Sequence, residues 1–250
     1  MNKVLQPPLG AILFLSLLIF SCSSSNDAQP CDSDSAIDLR FGTCLVFEDN
    51  GQLDNERSEI EQVTRNAVAL VNNLMPVEDL LIRIRVAPNN VIPEIGLGGF
   101  NPSEKEIIIS FDPNFPDLPQ SISNELGPQI AHEMHHAKRR RFTGYGSTLF
   151  EASVTEGLAD CFTMEVMGIA PPIWSVSLSG TELDDWINTA RDTWNDNPYN
   201  HGKWFLGTTS DVPRWAGYAI GYKLVKDFLA DNPSRNPSDL FDEPASSFLK

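Results

Sequence analysis

Apolar positions along this chain form several distinct patterns, and each predicts a different element. Leu9 to Phe20 is an almost unbroken apolar run. It is too short to span a bilayer comfortably but has the length of a signal-peptide core. Ile60, Val63, Ala67, Leu70 and Leu74 recur at steps of three and four, which predicts an amphipathic helix ending at the Met75-Pro76 break. Leu81 to Val86 alternates apolar residues with Arg83 and Arg85, as a half-buried strand does. Isoleucine-rich Glu106 to Phe111 predicts a second strand, and Gly96-Leu97-Gly98-Gly99-Phe100 between them reads as a turn-rich approach. Ile122, Leu126, Ile130 and Met134 stand at i+4 steps and give the next helix one buried side. Turn signals at Gly144 and Gly146 then let the chain return as a second helix. Further on, Arg214, Tyr218 and Tyr222 share one helical face and Gly217 and Gly221 a neighbouring one, where small residues allow close helix packing. Strands early and helices late make this an α+β chain with a small sheet and a largely helical C-terminal half.

The helix after Ile122 carries the chemistry. Three of the four histidines lie in Ala131-His132-Glu133-Met134-His135-His136. Residues four apart on a helix are about 40° from alignment and roughly 6 Å apart along the axis. The imidazoles of His132 and His136 can therefore converge on one metal ion, while Glu133 stands beside it as general base for a metal-activated water. A catalytic zinc site needs a third protein ligand. Glu156 and Asp160, downstream, are four apart and share a helix face, where two free carboxylates would repel. The arrangement makes sense if Glu156 binds the metal and Asp160 accepts the spare N–H of a ligand histidine. Glu151 lies five residues, about 140°, from Glu156 and so on another face.

H-E-x-x-H followed by E-x-x-x-D resembles the gluzincin clan of zinc metallopeptidases. The metzincin extension fails, because Arg139 and Phe142 stand where its glycine and third histidine belong. More narrowly, the stretch from about Gly96 to the C-terminus resembles a bacterial family of predicted zinc-dependent proteases, catalogued as a domain of unknown function. The matching pieces are Gly-Leu-Gly-Gly at 96–99, Ala-His-Glu-Met-His-His at 131–136, Glu-Gly-Leu-Ala-Asp at 156–160 and Pro-Arg-Trp-Ala-Gly-Tyr-Ala-Ile-Gly-Tyr at 213–222. The resemblance implies a zincin-like fold, Zn2+ held by His132, His136 and Glu156, Glu133 as catalytic base, and a peptide or protein substrate. In zincins an edge strand beside the active-site helix pairs with extended substrate, and the 81–111 strand region is the candidate here. Arg214, Tyr218, Tyr222 and His201 are candidate donors to the oxyanion formed as water attacks a carbonyl. For the first three a structural role stands equally open, and isolated His201 reads first as a surface-loop residue.

The N-terminus bears on location. Lys3 precedes the apolar run, and Leu18-Ile19-Phe20-Ser21-Cys22 resembles a bacterial lipobox with Cys22 as the acylated residue. Residues 1–21 read as a lipoprotein signal peptide, 22–50 as the acylated N-terminus and flexible tether, and 51–250 as one metallopeptidase domain. The expectation is an exported lipoprotein, anchored in a membrane of the bacterial cell envelope. Cys31 and Cys44 suit a disulfide in such an oxidising compartment, whereas Cys161 reads as a buried helix residue. Losing Lys3 with the signal takes the net charge from −16 to −17. So acidic a chain does not favour nucleic acid or anionic lipid. The basic run Lys138-Arg139-Arg140-Arg141 is read as complementing the helix dipole, and a monomer is expected. The competing class is a binding or chaperone-like surface lipoprotein with structural zinc.

Overall fold

The computed structural model describes Cys31 and residues 35–249. The expected signal peptide and Cys22 lie outside the described residues. The chain runs β1 (Ile37–Asp38), β2 (Thr43–Glu48), α1 (Arg57–Leu74), β3 (Leu80–Val86), β4 (Leu97–Ser103) and β5 (Glu106–Phe111). A short α2 (Leu118–Ser121) then passes through a π-turn at Ile122–Leu126 into α3 (Gly127–Arg140). The helices α4 (Leu149–Met167), α5 (Gly180–Arg191) and α6 (Ala216–Asp231) follow. The fold is the α+β arrangement expected, a small mixed sheet followed by a helical C-terminal half.

The five strands lie in the order β1-β2-β3-β5-β4, with β2, β3 and β5 parallel and the outer two antiparallel to their neighbours. Alternation assigns the faces. Ile82 and Ile84 of β3 and Ile107 and Ile109 of β5 are fully buried against α1 and α3. On the other face Arg83 pairs with Glu48 and Glu106, and Arg85 with Glu48. A second apolar core lies among α4, α5 and α6. Between the two cores runs α4, buried almost without break from Phe150 to Thr163, as expected of a helix that is apolar on all sides. Its start is fixed by a capping box, Thr148 with Glu151, and its end by Gly168 at φ 65°. It crosses α6 where Gly157 meets Gly221. A Cβ on either glycine would collide with the opposing backbone, which is the close packing expected of Gly221. The second small residue, Gly217, instead makes room for the Phe205 ring.

Three expectations are corrected. The tether does not extend to residue 50, because Thr43–Val46 is buried and β2 lies inside the sheet between β1 and β3. In α1 the buried stripe is Ile60, Thr64, Ala67, Val68 and Val71, while Leu70 and Leu74 are exposed. The apolar spacing found the helix but placed its face about one position off. Finally, Leu97–Ser103 is a strand despite its glycines, and it is the edge strand of the sheet beside α3.

Candidate metal centre

Ile122, Leu126, Ile130 and Met134 are all fully buried, and that anchoring fixes the rotation of α3. His132, Glu133 and His136 are turned toward α4 and β4, and all three are buried, as are Glu156 and Asp160. The Nε2 atoms of His132 and His136 lie 2.9 Å apart. Oε2 of Glu156 lies 3.0 Å from the first and 3.4 Å from the second. His132 Nδ1 lies 3.0 Å from Asp160 Oδ1. A carboxylate there keeps the proton on Nδ1 and leaves the Nε2 lone pair facing the cluster. Asp160 also accepts from Trp174 Nε1 (3.1 Å) and from the Ser175 hydroxyl. Of the four residues singled out by their i+4 spacings, His132, His136 and Glu156 thus meet at one point, and Asp160 lies behind His132.

The donor set, two imidazoles and a carboxylate, is one that catalytic zinc sites use. Charge supports the fit. Burial pushes Glu156 up, but His136 and His132 hold it well below the usual carboxylate range. Burial pulls His132 down, but Asp160 and Glu156 hold it well above the usual histidine value. The cluster favours positive charge at its centre, and without a metal His132 is held toward its protonated form. A divalent cation supplies that charge with both imidazoles neutral. Glu133 stands beside the cluster without joining it, and burial raises its pKa while the two histidines oppose the rise. Gly99 of β4 makes room for it, since a Cβ there would run into the Glu133 carboxylate. The Gly99 amide donates to Gln129 Oε1 (3.1 Å), tying β4 to α3.

Other groups are sorted by position. Glu151 is outside the centre, its carboxylate accepting from Thr148 N and Ser147 N. His135 points instead at Phe162, with ring centroids 5.3 Å apart. Burial pulls its pKa well below the usual value, so it is a neutral core residue. Cys161 is buried, and burial pushes its thiol far up, as an inert helix residue requires. Cys31 and Cys44 form a disulfide.

Among the candidate oxyanion donors, Arg214 is displaced. Trp215 takes a left-handed conformation, φ 71°, so α6 begins only at Ala216 and Arg214 leaves the Tyr218 face. Its guanidinium pairs with Glu94 at 2.7 Å. Tyr222 is half-buried; burial and the nearby Cys161 and Asp160 raise its pKa. Tyr218 packs edge-on to Phe205, 5.1 Å between centroids. Burial, then Glu156, Asp160 and Glu133, keep its phenol protonated. His201 is half-buried rather than on an open loop, stacked on Phe205 with its Nδ1 2.9 Å from the Tyr199 hydroxyl.

Sequence reasoning missed Tyr145. It sits between Gly144 and Gly146, both at positive φ, and its hydroxyl donates to Glu156 Oε1, the oxygen turned away from the histidines. A tyrosine between two turn glycines, eleven residues before a ligand, was the available signal. The basic run also does more than complement the helix dipole. Lys138 donates to Pro76 O, and Arg139 to Thr155 Oγ1 and to the carbonyls of Phe241 and Glu243. Arg140 donates to Asn101, and Arg141 to Glu104 O and Glu78 O. The end of α3 is thereby clamped to α4, the sheet and the C-terminal segment.

A family model described as predicted Zn-dependent protease (DUF2268) matches residues 60–250. No curated protein and no solved structure matches the chain.

Proposed function

The chain belongs to the family described as predicted Zn-dependent proteases, and on that premise we propose a gluzincin-like metallopeptidase that hydrolyses peptide bonds with Glu133 as general base. The observation that carries this reading is the convergence of His132, His136 and Glu156 donor atoms, with the carboxylate of a fourth residue, Glu133, beside them and not converging. A structural zinc site is usually closed by four protein ligands, whereas three donors meet here.

His132 Nε2, His136 Nε2 and a Glu156 oxygen would hold the ion. When bound, zinc polarises the scissile carbonyl and brings the pKa of water toward neutrality. The remaining work belongs to the chain. Asp160 fixes the His132 tautomer, and Tyr145 fixes the orientation of Glu156. Glu133 takes the proton of the attacking water and returns it to the leaving amine. Tyr218, whose phenol burial and the nearby Glu156, Asp160 and Glu133 keep protonated, is the proposed donor to the developing oxyanion. Tyr218→Phe is expected to lower kcat by about 10²-fold with little change in KM, measured in steady-state cleavage of a quenched peptide.

Export and anchoring through acylated Cys22 are part of the same proposal, and the Cys31–Cys44 disulfide supports an oxidising compartment. No helix among the described residues is long and apolar enough to cross a membrane. The deciding experiment is zinc content with peptide-library cleavage for wild type, Glu133→Gln and His136→Ala. One zinc per chain with chelator-sensitive cleavage is expected in the wild type. Glu133→Gln should keep the zinc and lose cleavage, and His136→Ala should lose both. A folded wild type that takes up no zinc overturns the reading.

A further inference from the structure

Beside the metal centre lies a cavity of about 480 Å³, walled in part by His132 and Asp160. That size is in the range of sites that hold a small ligand or a large side chain. Most of its lining is apolar, including Ile95, Pro128, Ile169, Pro172, Ile173 and Trp174. Ile169 and Ile173 are 39% and 47% exposed, so the cavity has a rim at the surface. Two polar wall residues are already engaged, Gln129 by the Gly99 amide and Asp160 by His132, Trp174 and Ser175.

Glu125 differs. It lines the same cavity from the π-turn that precedes α3, half-buried, and no cation or hydrogen-bond donor meets its carboxylate among the described residues. Burial alone raises its pKa, the direction of a carboxylate whose lost hydration nothing offsets.

We propose that this cavity receives the substrate residue next to the scissile bond, and that it selects lysine or arginine. The cavity adjoins the metal cluster through His132, which is one of its walls and also one of the three donors. The alkyl stem of either residue lies along the apolar wall while its cationic head meets Glu125. A purely apolar side chain would fill the slot but strip more water from an unpartnered carboxylate, and an acidic one would bring like charges together. The inference rests on the peptidase reading.

The test measures kcat/KM of the zinc-loaded protein on peptides that differ at one position on either side of the cleaved bond. That position carries Lys, Arg, norleucine, Phe or Glu. Lys and Arg are expected to exceed norleucine by about tenfold at one of the two positions. In Glu125→Gln that ratio should fall to about one, and in Glu125→Lys the Glu peptide should gain on the Lys peptide. A norleucine or Phe preference that Glu125→Gln leaves intact overturns the proposal while the peptidase reading stands. If no peptide is cleaved the peptidase reading fails, and binding of the Lys and norleucine peptides to the zinc-loaded protein decides the cavity's selectivity. Tighter Lys binding that is lost in Glu125→Gln supports it, and equal binding overturns it.

Discussion

Asp160 touches no metal donor atom of its own, yet it decides which nitrogen of His132 faces the cluster. Asp160→Asn keeps the shape but replaces a pure acceptor with an amide that can also donate. Zinc affinity is expected to fall by about 10–100-fold, read by competition with a chromophoric chelator. In the metal-free protein His132 and Glu156 contribute to the pH dependence of stability. The depressed pKa of Glu156 gives stability that is complete above its ordinary 4.5 and lost as pH falls through the folded value. The raised pKa of His132 gives stability that is complete below its ordinary 6.5 and lost as pH rises through the folded value. The joint contribution of Glu156 and His132 to the melting temperature of the chelated protein should therefore be largest between those two values, and the His132 part should fall on the alkaline side. Zinc-loaded protein should lose less there, because the ion replaces the proton. Four of these site residues were legible in the sequence because each pair is held by a single helical repeat of four. Tyr145 and Gly99 were not, since they reach the centre through a turn and an edge strand that no local periodicity encodes.

The elements show the same division between local and non-local order. The stripe through Ile122, Leu126, Ile130 and Met134 identified α3 and its buried side, because burial on one face imposes a period on the sequence. Strand β4 lacked such a period. Its glycines read as turn residues, but Gly99 is small because Glu133 occupies the space a side chain would need. β2 was passed over because Thr43–Val46 is buried without alternation. Replacing Gly99 by alanine forces either β4 or the Glu133 carboxylate to move. A displacement near 1 Å at a catalytic group costs on the order of 10²-fold in rate. Gly99→Ala should lose about that much in kcat while retaining one zinc per chain. Retained activity would show that β4 yields and that Glu133 keeps its position without that edge.

At the scale of the molecule, α4 lies between a sheet core and a helical core, and two carboxylates are buried within it because the cluster and its neighbours compensate them. Around that centre the protein carries a formal charge of −16, which draws in cationic peptides over distances longer than a contact. Salt separates this field from the Glu125 contact. The field acts on any lysine or arginine in the peptide and is screened over about 8 Å at 0.15 M ionic strength. The contact with half-buried Glu125 acts at one position and is screened less. Raising ionic strength from about 0.05 to about 0.5 M should therefore lower kcat/KM for every cationic peptide, wherever its charge lies, and leave neutral peptides nearly unchanged. The ratio between peptides with lysine beside the cleaved bond and peptides of the same composition with it elsewhere should persist. A ratio that collapses along with the general salt effect would assign the whole preference to net charge and none of it to the cavity.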